Sequence, residues 1–354
     1  MSTTELALGT LTAVDPDLAA MMDGVFSDYR QTAPTGRPGE RVEYDRALWQ
    51  RLDSLGLVRL TGAEESGGSG AGWLEAAELL SAAVRHGVRI PLAEHDLLAC
   101  WLLETLGRPV DDAVRTVYVA PRSGQSPAPV AWAAEAERMV VLWPAGDEYR
   151  LTEFFDTADL SITPGTNLIG EPRDTITVDT TSMTGHPVST GLVDQLGRKS
   201  AMVRAIQVCA ALDRAVALSI EHVASRVQFG RPLAKFQAVQ NLISDAAAES
   251  ALARAATEAA LHTAVGTGWQ SAQLDFQIAT ARSCAGHAAS VVTRNTHQVH
   301  GAIGTTHEHR LHEYTRAALA WRSEYGSVRF WDDQVAAAAV AAGGQQLWAL
   351  IAGT

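Results

Sequence analysis

Ser225-Arg226-Val227-Gln228-Phe229-Gly230-Arg231-Pro232, followed by Phe236-Gln237-Ala238-Val239-Gln240, joins two long segments of helical periodicity. A helix predicted over 191–228 stops near a glycine and a proline, and a second one begins at 236 and runs to 265. Further helices are expected over 271–299, 308–323 and 331–352, the last weakened by Gly343-Gly344. Long antiparallel helices with alanine-rich faces pack closely, which predicts a four-helix bundle. Upstream, between Arg108 and Ser189, the helical period gives way to short β-rich runs at 116–119, 139–143, 149–155 and 175–178. From Asp15 to Gly107 apolar residues again recur at three and four, as in Leu79, Leu80, Ala83 and Val84, which suggests four or five short helices. The expected fold is therefore mainly α with a small central β-domain: helices over 1–107, β over 108–189, a helical bundle over 190–354.

Composition narrows the function. The 354 residues are 47% hydrophobic and 19% charged, with a net charge of 28 − 40 = −12. That balance repels nucleic acid and anionic lipid, so neither is an expected partner, and an anionic ligand needs a few local arginines or lysines. Residues 1–10 lack a basic patch followed by an apolar core, and no run of about 18 uncharged apolar residues is evident. A cytoplasmic protein without a membrane span is expected. Cys100, Cys209 and Cys284 lie far apart in apolar helical patterns, which suits free thiols rather than a disulfide framework.

Two segments can carry chemistry. At the 225–240 corner, Arg226 and Gln237 either cap the helices or hold an anion such as a pyrophosphate. In Gln298-Val299-His300-Gly301-Ala302-Ile303-Gly304-Thr305-Thr306, two glycines three apart let backbone approach a ligand, although helix C-caps use glycine too.

Arg-x-x-Phe-Gly, Phe-Gln-x-x-Gln and Gln-x-x-Gly-x-x-Gly together resemble the C-terminal domain of acyl-CoA dehydrogenases. Leu55-Gly56-Leu57 with Glu64-Glu65-Ser66-Gly67-Gly68-Ser69-Gly70 is similar to that family's N-terminal helical domain. The resemblance implies a helix, β-barrel, helix architecture and an FAD bound between two subunits, with the neighbouring chain reaching the phosphates and adenosine. On this sequence those neighbour-side positions are Arg226, Phe229, Gln237, Gln298, Gly301 and Gly304, with Ala302 replacing the usual second glycine. The family's Thr-Glu-Pro…Gly-Ser-Asp and Trp-x-Thr segments, which contact the flavin ring, are missing between 108 and 189. Gly165-Thr166-Asn167-Leu168-Ile169-Gly170-Glu171-Pro172 survives and reads as a turn. The chain is equipped for its neighbour's half of a flavin site and poorly for its own.

The family reaction takes a proton from Cα of an acyl-CoA, which needs a dry carboxylate against that carbon. Counted without gaps, the family's glutamate position falls on Tyr325, with Glu324 beside it; adjacent helical positions differ by about 100° in direction. A second subfamily's glutamate position falls on Ser200, which cannot serve. Glu324 is thus the candidate base, set against its reading as a solvated acid at a helix end. His297, His300, His307, His309 and His312 crowd one segment with Glu308 and Glu313. Imidazoles at helical spacing can share an ion, but position 311 is Leu, so the zinc-peptidase pairing is absent. No metal is expected there, and His300 or His309 is expected near phosphate or CoA.

The resemblance implies a short subunit of an α2β2 acyl-CoA dehydrogenase acting on a steroid side-chain or branched acyl-CoA. Its partner would be a full-length dehydrogenase subunit, and its electron acceptor an electron-transfer flavoprotein. The alternatives are a homomeric dehydrogenase using Glu324, a helical scaffold without flavin, and a flavin monooxygenase on the same fold.

Overall fold

The computed structural model of the chain describes residues 14–32, 40–122, 127–157, 160–181 and 183–352. Three short helices open it: α1 (Pro16–Thr32), α2 (Arg46–Ser54) and α3 (Trp73–Arg85). Asp45 caps α2 by accepting from Leu48 N–H, and the apolar faces of all three turn inward through Met22, Phe26, Leu52, Leu79 and Leu80. The next helix starts as a π-helical stretch, Ala93–Cys100, and continues as α4 (Trp101–Thr105). Trp101 N–H donates to the Asp96 carbonyl five residues back. All eight residues of the π-helical stretch are buried, Glu94, His95 and Asp96 included. Single-turn widening of this kind gathers at functional sites, because it re-aims side chains.

Seven strands follow: β1 (Arg115–Val119), β2 (Val130–Ala131), β3 (Arg138–Ala145), β4 (Glu148–Phe154), β5 (Ser161–Thr163), β6 (Arg173–Thr177) and β7 (His186–Val188). One sheet has the order β1-β3-β4-β7, with β1 and β3 parallel and the other pairs antiparallel; the second has the order β2-β6-β5. Strand β3 is central and buried on both faces. Val140 and Leu142 point to Leu98, Leu102 and Leu196 of the helices, while Met139, Val141 and Trp143 meet Tyr118 and Ile176. Such a strand shows no polar alternation, which is why its sequence is a continuous apolar run. The runs at 116–119, 139–143, 149–155 and 175–178 fall on β1, β3, β4 and β6; β2, β5 and β7 are two or three residues long and carry no pattern.

Helix α5 (Thr190–Ser225) then crosses the whole molecule; its 36 residues extend about 54 Å. Its middle, residues 199–212, is buried on nearly every side, and its second half packs against α6 (Gln237–Gly266), α7 (Leu274–His300) and α8 (Leu311–Trp321). Alanines 246, 253, 285, 288 and 289 line these seams and allow the close approach. Where α5 passes the N-terminal helices, Lys199 is enclosed by Trp73, Trp101 and Trp269, its ammonium 4.2 to 4.6 Å from the three rings. The expected four long helices become three long ones and the short α8. The remaining long helix, α9 (Val328–Ala352), lies along α7 but contributes no buried residue. Val340 and Trp348 are 82% and 74% exposed, and Gly343 breaks the helical geometry at φ 65°. Contrary to the expectation from sequence, α9 is long and apolar enough to cross a membrane by length and composition; Gln345-Gln346 and the glycine pair disguise it.

The turn at 165–172 is a structural junction. Thr166 bridges Pro172, Asn167 N–H donates to the Glu171 carbonyl, and Gly170 O accepts from Val42 N–H at 2.8 Å. At Gly170 φ is +80°, and a methyl group there would overlap the Glu40 carbonyl oxygen. Gly170→Ala is expected to lower stability by about 1–3 kcal/mol, the scale of one strained backbone residue, read as a shifted urea midpoint; an unchanged midpoint would remove the junction's importance.

Candidate flavin corner and buried charge cluster

Two features compete as the functional centre. The first is interior. The Glu324 carboxylate lies between two guanidiniums: Arg173 at 2.8 and 3.0 Å and Arg204 Nε at 2.7 Å. Asn167 Nδ2 donates to the same carboxylate at 3.2 Å. Arg204 also reaches Glu94 of the π-helical stretch at 2.7 Å, and Arg173 reaches Glu171 at 2.9 Å. Glu171 accepts in turn from the Trp321 indole at 2.8 Å and faces Arg89 at 3.7 Å. Three carboxylates (Glu94, Glu171, Glu324) thus face three guanidiniums (Arg89, Arg173, Arg204), and a fourth buried guanidinium, Arg282, donates to the Glu324 backbone carbonyl at 2.7 Å. Burial alone would raise the Glu324 carboxyl, but Arg173 and Arg204 outweigh it and hold it down at about 2. A base at Cα needs a carboxylate free to take a proton near neutral pH; this one is held anionic with its oxygens engaged.

Glu324 is therefore not the solvated acid of the sequence expectation either, since its side chain is only 19% exposed. The ordinary α-helical offset between neighbours does not apply: Tyr325 has φ 54°, and its ring packs 5.3 Å from the Arg204 guanidinium. Ser200 is buried and donates to the Leu196 carbonyl one turn back. Arg173, Arg204 and Glu94 were not singled out from sequence, and Asn167 and Glu171 only as members of the 165–172 turn. The signal for two of them was available: Arg204 interrupts Ala201-Met202-Val203 and Ala205-Ile206, and Glu94 stands among Leu92, Ala93 and Leu97. A charge inside an apolar run needs a buried partner.

The second feature is on the surface. The 225–236 corner is a small hairpin, in which β8 (Val227–Gln228) pairs with β9 (Arg231–Pro232). Its two turn residues, Phe229 and Gly230, have φ 53° and 77°, as a type I′ turn requires. Phenylalanine in this region is strained, and its ring is 90% exposed with one edge-on neighbour, Phe236, at 6.1 Å. Arg226 caps the end of α5 with an exposed side chain, and Gln237 is exposed with its amide on Asn241 at 3.0 Å. Gln298 is exposed near the end of α7, and Gly301 follows at φ 62°, with open space where a side chain would sit. The His222 ring, one turn before Arg226, stacks on His300 at 4.4 Å. That contact places the hairpin and the 298–304 loop at one end of the bundle.

Gly304 behaves differently. It is buried, and a methyl group there would meet His300 Cβ at 2.8 Å and Leu311 at 3.1 Å, so its smallness serves internal packing. Arg226, Phe229, Gln237, Gln298 and Gly301 present an outward surface with a cation, amides, an aromatic ring and accessible backbone, which fits a phosphate-bearing aromatic ligand such as FAD. In the β region the corresponding turn is closed upon itself: Ala134 N–H and Gly165 N–H both donate to Asp174, which also binds Arg41.

Known proteins share parts of this sequence and its fold. Residues 196–339 match the family described as acyl-CoA dehydrogenase, C-terminal domain. The acyl-CoA dehydrogenase IpdE2 of Mycobacterium tuberculosis is 28% identical over 278 residues, 78% of this chain and 81% of the relative. The acyl-CoA dehydrogenase FadE27 of the same organism is 26% identical over 348 residues, 87% of this chain and 92% of the relative. Among solved structures, a chain of the ChsE4-ChsE5 complex from Mycobacterium tuberculosis superposes with a TM-score of 0.75 at 22% identity, covering 92% of this chain and 96% of that one. Residues 196–339 thus match an acyl-CoA dehydrogenase C-terminal domain in sequence, and the helices, sheets and bundle of the chain share the fold of that solved structure.

Proposed function

We propose that this chain is the non-catalytic subunit of an FAD-dependent acyl-CoA dehydrogenase, assembled as an α2β2 heterotetramer with a full-length dehydrogenase. The observation that carries this reading is the contrast between the two features. Glu324 is bound by Arg173 and Arg204, whereas the hairpin and loop hold their polar groups outward. In the assembly Arg226 would neutralise the flavin pyrophosphate, and Gln298, the Gly301 backbone and Phe229 would hold the adenosine side. FAD, when bound, supplies the acceptor for the hydride leaving the acyl Cβ; the proton is taken by a carboxylate of the partner. The substrate is an acyl-CoA of the steroid side-chain or branched type, and an electron-transfer flavoprotein receives the electrons. Helix α9, whose apolar residues lie open, is covered by the partner rather than by lipid, and the complex is cytoplasmic.

Arg226→Ala is expected to weaken flavin retention by the two-chain complex by about 1.5–3 kcal/mol, the worth of a hydrogen bond to a charged group. Flavin absorbance after dialysis measures it, and unchanged occupancy would take Arg226 out of the site.

Expressed alone, the chain is expected to bind little or no flavin and to aggregate through α9. A stable yellow monomer in gel filtration, oxidising acyl-CoA by itself, would favour the homomeric alternative with Glu324 as base.

Glu324→Gln separates the readings further. Acyl-CoA-dependent flavin reduction by the complex should change by no more than a few-fold, whereas loss of a general base would slow it by about 10²–10⁴-fold. The same variant should be destabilised by about 3–5 kcal/mol at neutral pH, because two buried guanidiniums lose their partner. The folded-state carboxyl is depressed from 4.5 to about 2, so its contribution is fully present above pH 4.5 and is lost as pH falls through about 2. Acid titration of stability should accordingly be steeper for the natural chain than for the variant across that window.

A further inference from the structure

We propose that His222, His300 and His309 form a three-imidazole site for a divalent d-block cation of the zinc class. One ring nitrogen from each of the three lies within 4.8 Å of the other two. The ring centroids are 4.4 Å apart for His222–His300, 4.5 Å for His300–His309 and 5.9 Å for His222–His309.

His300 is the anchor. It is 6% exposed, and its Nδ1–H donates to the Thr296 carbonyl at 2.8 Å, which leaves the lone pair on Nε2. That Nε2 is buried and has no hydrogen-bond partner. A backbone carbonyl on one imidazole nitrogen with the other nitrogen bare is the arrangement that orients metal-binding histidines. An unpaired buried nitrogen is otherwise a standing loss of stability.

His222 stands on the last turn of α5, half exposed, with its ring against His300. His309 stands just before α8, where its Nδ1 accepts from Leu311 N–H at 3.1 Å. To join the ion, His309 must release the Leu311 N–H, which frees the Nδ1 lone pair with no change of tautomer. A tetrahedral zinc with bonds of about 2.0–2.1 Å sets its ligands about 3.3 Å apart, so the nitrogens need to draw together by at most about 1.5 Å from the present span. Burial holds all three imidazoles below their usual range, His300 down to about 4, so they are neutral and ready to ligate at pH 7. Neutral imidazole suits zinc, copper and nickel, and the fourth position stays open to water or a ligand atom. Of the surrounding charges, Arg226 opposes the ion and Glu221 favours it. His297, His307 and His312 belong to neighbouring contacts, His297 to Thr315 and His307 to His312.

The test uses the full chain co-expressed with its dehydrogenase partner, carrying no polyhistidine tag and stripped with EDTA, then titrated with Co²⁺ under visible absorption. One equivalent per chain with tetrahedral d–d bands, displaced by Zn²⁺, is expected. His300→Ala should weaken Co²⁺ binding at least tenfold, and His307→Ala should leave it unchanged. His222→Ala, at a half-exposed ring, serves as second variant should the first fail to fold. No saturable Co²⁺ binding, or binding that survives both His222→Ala and His300→Ala as an adventitious ion would, overturns the site. Flavin content is read on the same samples, so loss of flavin in Arg226→Ala with Co²⁺ binding intact tests the cofactor assignment alone.

Discussion

A carboxylate held between two guanidiniums ties the three parts of this molecule to one another. Glu324 follows α8, Arg204 projects from the centre of α5, and Arg173 opens β6. Through Arg204 the pair extends to Glu94 on the π-helical stretch, and through Arg173 to Glu171 in the 165–172 turn. Removing these groups from water is expensive, and only complete mutual pairing offsets that cost. The cluster therefore fixes where the helices and the sheet meet more than it adds net stability. The same two arginines hold the Glu324 carboxyl well below its ordinary range, down to about 2.

Most of the fold was legible because it rests on periodicity. The helices of the bundle follow from apolar residues at three and four, and β3 from a short apolar run buried on both faces. The elements that stayed hidden are those stabilised from outside. Strands β2, β5 and β7 have too few residues for any pattern and exist because longer strands pair with them. The π-helical register of Ala93–Cys100 leaves no trace in composition, because an extra residue in a fully buried helix exchanges one buried position for another.

The candidate sites divide along the same line. Arg226 and Gly301 stand out by local chemistry, a cation at a helix corner and a glycine after a long helix, whereas Phe229 and Gln298 are marked only by the resemblance to the family's motifs. The cluster around Glu324 joins residues more than two hundred positions apart, from Glu94 to Glu324, and no spacing rule connects them. His222 was missed for the same reason. It lies about 80 residues before His300, and only the packing of α5 on α7 brings the two rings together.

Charge balance in the buried cluster has a bearing on how such a chain changes over generations. Its acids and arginines are paired with one another, so a single replacement strands a charge, and tolerated changes must come in pairs. Freeing the Glu324 carboxylate would require Arg173 and Arg204 to be exchanged together with their acidic partners, through intermediates that fold poorly. The cluster therefore acts as a ratchet: replacement of any one of its charged residues is confined to paths that exchange its partner as well.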